Sequence, residues 1–108
     1  MIRIEFIGDM IYKILKENNV DFKEFYLALN NDIDGIPPDI IVGYRLVVIF
    51  SNVSNLRDKK RLIISLMSKI NIDLDIFIEI SALNEDKLKP AYTWDGQCIN
   101  IGAHYVAW

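Results

Sequence analysis

The chain has 108 residues, 52% hydrophobic and 25% charged, which fits one globular domain over residues 1–108 with a single core and leaves little room for a lid or linker. Its net charge of −3 and sequence pI near 5.0 remove any overall electrostatic pull toward nucleic acid or anionic membrane, so such binding needs a local patch. One cysteine, Cys98, excludes an intramolecular disulfide and a cysteine-built metal cluster.

No apolar stretch approaches the ~20 residues of a membrane span. Met1-Ile2-Arg3-Ile4-Glu5 does not resemble a signal peptide, so the expected location is the cytoplasm, where a lone thiol reads as a small buried hydrophobe. The abundance of isoleucine fits an AT-rich genome and a thermophile, against which the several asparagines count.

In chain order, Asp9 caps a first expected helix running to about Asn18, with Met10, Ile11, Ile14 and Leu15 on one face. Residues Phe22 to Leu29 support two readings. Asp21 and Glu24 form a capping pair for a helix bearing Phe22, Phe25, Tyr26 and Leu29, while Phe25 to Leu29 also reads as a short buried strand. A long loop with Gly35 and Pro37-Pro38 follows, Asn30 to Asp39.

The strongest unit is strand–helix–strand: Arg45 to Ser51, Asn55 to Ile70 and Ile72 to Ile80. The unbroken run Leu46 to Phe50 suits a strand covered on both faces, and the intervening helix predicts that the two strands are parallel and adjacent. In that helix Asn55 is the N-cap and Leu62, Ile63, Leu66, Met67 and Ile70 form the buried face. Arg57, Lys59, Lys60 and Arg61 crowd its first turns, where the helix dipole disfavours cations by a few tenths of a kcal/mol each. Two readings follow: a contact with a phosphate or nucleic-acid backbone, or a solvated helix face.

Ile72, Leu74, Ile76, Ile78 and Ile80 alternate with Asp73, Asp75, Phe77 and Glu79, as in a strand with one apolar face. On such a strand Asp73 and Asp75 stand roughly 6.6 Å apart, close enough to share a hydrated Mg²⁺ or simply to face water. Farther on, Ala91 to Trp94, Asp95-Gly96 and Gln97 to Ile101 read as a C-terminal β-hairpin. The tail His104 to Trp108 adds aromatics to the core or to a subunit contact. His104, the sole histidine, has no Cys, Ser or carboxylate motif beside it and reads as structural. The expected fold is α/β, with α+β as the alternative: a small single-layer mixed sheet with two or three helices.

The helix ending in Glu17-Asn18-Asn19-Val20, the apolar run to Leu29, the loop with Gly35 and Pro38, the strand Leu46 to Phe50, a helix and an Asp-bearing strand together resemble the minimal nucleotidyltransferase fold over residues 9–80. In active members a Gly-Ser pair follows the first strand and a Mg²⁺-binding Asp-x-Asp pair opens the second. This chain has Leu29-Asn30 and Gly43-Tyr44-Arg45 at those positions. The family's third carboxylate matches Asp73 or Asp75, which alone cannot hold the two metals of phosphoryl transfer. Asp32-Ile33-Asp34 spells the acidic pair but sits in the loop. Pro38-Asp39 with Asp58-Lys59-Lys60 matches a metal-dependent nuclease pattern only superficially, because the second acid falls at a helix start, and the five scattered glycines make no phosphate loop.

The resemblance therefore implies a degenerate, non-catalytic binding or interaction module with no resident cofactor. Its candidate anion contacts are Arg57, Lys59, Lys60 and Arg61, and its partners are a nucleotide or nucleic-acid backbone, a protein or a second copy. The alternative is an active metal-dependent nucleotidyltransferase or nucleic-acid-processing enzyme drawing on Asp32, Asp34, Asp73 and Asp75.

Overall fold

A computed structural model describes residues 3–29, 43–87 and 101–107, apart from the side chains of 29, 87 and 101–103. Among the described residues two α-helices, α1 (Ile4–Glu17) and α2 (Leu56–Leu74), pack on a four-stranded sheet of β1 (Glu24–Leu29), β2 (Gly43–Phe50), β3 (Phe77–Asn84) and β4 (Ile101–Val106). The spatial order is β3-β2-β1-β4.

The strand–helix–strand reading is realised. β2 and β3 lie side by side and parallel, in register from Gly43 opposite Phe77 to Phe50 opposite Asn84, with α2 as the crossover. β1 runs antiparallel to both its neighbours, pairing Glu24 with Ile49 on one side and with Val106 on the other. The sheet is therefore mixed, and the protein is a small α/β fold.

Side-chain alternation assigns the two faces. Phe25 and Leu27 of β1, Leu46, Val48 and Phe50 of β2 and Ile78 of β3 meet Ile7, Ile11 and Leu15 of α1 and Ile63, Met67 and Ile70 of α2 in one core. Val47 and Ile49 point the other way, yet only 6% and 1% of their surface is exposed. Burial on both faces is what the continuous apolar run of β2 predicts.

Four expectations are corrected or resolved. The first helix starts at Ile4, not after Asp9, because Ile4, Ile7, Ile11 and Leu15 form a stripe at helical spacing that extends toward the N-terminus. It ends as read, at Asn18, with Asn19 in the left-handed region (φ 56°). Residues 24–29 are a strand, which settles the ambiguous segment.

The second helix also runs longer than its periodicity indicated. Leu74 continues the Met67–Ile70 stripe by one more turn, so the alternation at Ile72, Leu74 and Ile76 imitates a strand while the chain is still helical. Asp75 (φ 53°) closes α2, the Ile76 N–H bonds to the Asn71 carbonyl at 3.1 Å, and β3 begins only at Phe77. Finally, His104 and Tyr105 belong to a strand instead of a tail. The hairpin at 91–101, apart from Ile101, lies outside the described residues, as do Cys98 and the loop at 30–39 with Asp32 and Asp34.

Candidate functional site

The amino end of α2 is where sequence and fold converge. β2 ends at Phe50 and a short link, 51–55, leads into the helix at the carboxyl end of the parallel pair, the end at which open α/β sheets receive ligands. That link is clasped to the neighbouring strand. The Asn84 side chain accepts a hydrogen bond from the Val53 N–H at 2.9 Å and donates one to the Val53 carbonyl at 2.9 Å. Beside it the Asn52 side-chain oxygen accepts from the Asp86 N–H at 3.2 Å, and Lys23 pairs with Glu85 at 2.7 Å.

The helix itself begins without help from its N-cap. Asn55 makes no side-chain capping hydrogen bond, although its carbonyl accepts from the Lys59 N–H at 3.1 Å. Asp58 is the one acidic residue of the first turn. The positive end of the helix dipole therefore has cations beside it and, within the first turn, only Asp58 to offset them.

The four candidate cations do not all share one face of the helix. Arg57, Lys60 and Arg61 stand at i, i+3 and i+4, within about 100° of arc, and all three are exposed. Lys59 lies on the other side of the helix and is half-buried. Among the described residues none of the four forms an ion pair, the pairs being Arg3–Glu5, Lys13–Glu17, Lys23–Glu85, Arg45–Glu79 and His104–Glu24. The same face continues along α2 through Ile64, 47% exposed, Ser68 and Ile72, 80% exposed.

Asp73 and Asp75 lose the geometry that recommended them for Mg²⁺. Asp73 is in the last turn of α2 and Asp75 is its left-handed cap, so the two do not share a strand face. Among the described residues no group of three or more His, Cys, Asp or Glu side chains is placed to hold a metal ion.

A second polar group, on the sheet face away from the helices, is not visible in the sequence. The His104 ring stacks on Tyr26 across the β1–β4 pair, with centroids 4.4 Å apart and planes 5° from parallel. Its Nε2 is 3.4 Å from Glu24 Oε2, and the Tyr26 hydroxyl donates to Glu24 Oε1 at 3.0 Å. Burial, then the Glu24 hydrogen bond and charge, push the Tyr26 pKa up. Arg45 lies 3.8 Å from Glu79 on the same face. These contacts join neighbouring strands. Alternation along β1 puts Glu24 and Tyr26 on one face, but only the pairing with β4 brings the histidine to them.

Fold and site together define a small α/β protein with a mixed sheet, helices on one face and a cationic helix start at the end of its parallel strands. No family model, curated protein or solved structure matches the chain. No described helix is long and apolar enough to cross a membrane.

Proposed function

We propose that this chain is a non-catalytic interaction module that binds an anionic group at the amino end of α2, on a scaffold of the minimal nucleotidyltransferase type. The observation that carries this reading is the exposed face of Arg57, Lys60 and Arg61, unpaired among the described residues, on a helix start clasped in place by Asn84 and Asn52. Fixed cations beside a helix amino end cost stability when alone and recover it when an anion arrives. Lys59 is left out of this contact because it faces elsewhere.

The scaffold reading is supported by the element order helix, strand, strand, helix, strand over residues 4–84. Non-catalysis is supported by what stands at the positions that would hold metal. The start of β2 offers Gly43, a buried Tyr44 and Arg45, which is engaged with Glu79. The carboxylates Asp73 and Asp75 sit at the end of α2 and not on β3.

The test is a thermal-shift screen against nucleotides, short RNA and DNA, and inorganic tripolyphosphate, each with and without Mg²⁺. The reading predicts metal-independent stabilisation by anions that disappears in an Arg57→Ala/Lys60→Ala/Arg61→Ala variant. Stabilisation by a nucleotide only when Mg²⁺ is present would favour an enzyme instead.

A further inference from the structure

We infer that the anionic partner is an acidic amphipathic helix of another protein, laid along the outer face of α2. The inference rests on the reading just given and specifies its ligand. Arg57, Lys60, Arg61, Ile64, Ser68 and Ile72, with the half-buried Asn71 among them, fall within about 120° of arc and run about 22 Å along the helix, the length of roughly 15 helical residues. Cations occupy the first half of this stripe, and the two isoleucines, 47% and 80% exposed, extend it to the last turn.

The distribution of charge and apolar surface selects the occupant. A nucleotide or phosphate would engage the cations and leave Ile64 and Ile72 in water. An extended nucleic-acid backbone would meet anion-attracting groups along only half of the stripe. A helix with carboxylates at one end and leucines or isoleucines at i, i+3 and i+4 at the other covers both halves. Its carboxylates would also lie against the positive end of the α2 dipole. A second copy is disfavoured, since the stripe carries no acid to meet its own cations. The hydroxyl of Ser68, between the two isoleucines, is turned back onto the Ser65 carbonyl at 2.7 Å and presents little obstacle to apolar contact.

The experiment uses the full chain and a labelled synthetic 15-residue helix with glutamates in its first half and leucines at i, i+3 and i+4 spacing in its second. Fluorescence anisotropy measures its binding alongside a permuted peptide of the same composition, a labelled single-stranded oligonucleotide, and tripolyphosphate as competitor. Two variants are compared, Ile64→Ser/Ile72→Ser and Arg57→Ala/Lys60→Ala/Arg61→Ala, with circular dichroism confirming that each is folded. The expected result is at least tenfold weaker peptide binding in both variants, with tripolyphosphate binding lost only in the cationic one. If the isoleucine variant or the permuted peptide binds as well as the original pair, or only the oligonucleotide binds, the acidic-helix assignment is overturned while anion binding stands. If neither peptide nor tripolyphosphate binds, both readings fall.

Discussion

The ring of Tyr105 lies across Gly8 of α1 so closely that a Cβ on the glycine would come within 2.5 Å of the tyrosine Cε2 and 2.7 Å of its hydroxyl oxygen. Four further contacts fix the ring: it stacks on Phe25 at 4.7 Å, lies 5.9 Å from Tyr12, and its hydroxyl donates toward Asp9 Oδ1 at 2.7 Å and the Glu5 carbonyl at 3.2 Å. A mid-helix glycine costs about 1 kcal/mol against alanine, and here the missing methyl is what lets β4 and α1 meet. Gly8→Ala is therefore expected to destabilise by about 1–3 kcal/mol despite its better helix propensity. In a Tyr105→Ala background the same substitution should become neutral or stabilising, and a double-mutant cycle by urea denaturation reads the difference.

Tyr105 also sets an alkaline limit. Burial first, then its hydrogen bond to Asp9 and the charges of Asp9 and Glu5, push its pKa up to about 12 from 10.0. The folded state holds the neutral phenol more firmly than the unfolded chain does. Its contribution is thus complete below pH 10 and is lost as pH rises from 10 toward 12. The urea midpoint should fall over that window, and Tyr105→Phe should reduce the fall. An identical pH dependence in the phenylalanine variant would show that other groups carry it.

Asn84 ties the end of β3 to the link before α2 by two hydrogen bonds to the N–H and C=O of one residue, Val53. Replacing it with alanine leaves the partly buried N–H and C=O of Val53 without these partners, at a cost of about 1–3 kcal/mol. Amide exchange at Val53 should quicken by more than the global loss of stability explains, because the clasp fails locally first.

Asp75 closes α2 with φ 53°, a conformation that glycine adopts at no steric cost. Asp75→Gly should be neutral or stabilising by up to ~1 kcal/mol, whereas the β-branched Asp75→Val should destabilise by more than that. Were Asp75 a metal ligand, Asp75→Gly would instead remove a Mg²⁺-dependent rise in melting temperature.

Local pattern carried the sequence reading furthest at Leu46 to Phe50. An unbroken apolar run joined by a helix to a second apolar segment leaves few arrangements, and β2 and β3 are parallel neighbours as it required. The errors come where two periodicities overlap. Ile70, Ile72, Leu74 and Ile76 satisfy alternation, yet Ile70 and Leu74 also sit one helical turn apart, and the helix that already buries Met67 prevails. Ile72 is left exposed as a result, which exposes the apolar half of the proposed docking stripe. Arg57 to Arg61 were legible as a charge cluster, but separating Lys59 from the other three requires the burial of its face. Glu24, Tyr26 and His104 are 80 residues apart in the chain at their extremes, and strand pairing alone brings them together.

The central claim is that three cations on one face of α2, and not the fourth, hold an anion. A titration of the ¹⁵N-labelled protein with tripolyphosphate, followed by amide chemical shifts, tests it directly. The account predicts saturable shifts centred on residues 55–61, abolished by Arg57→Ala/Lys60→Ala/Arg61→Ala and preserved in Lys59→Ala. Shifts absent from that segment, or lost with Lys59 and kept without the other three, would contradict it.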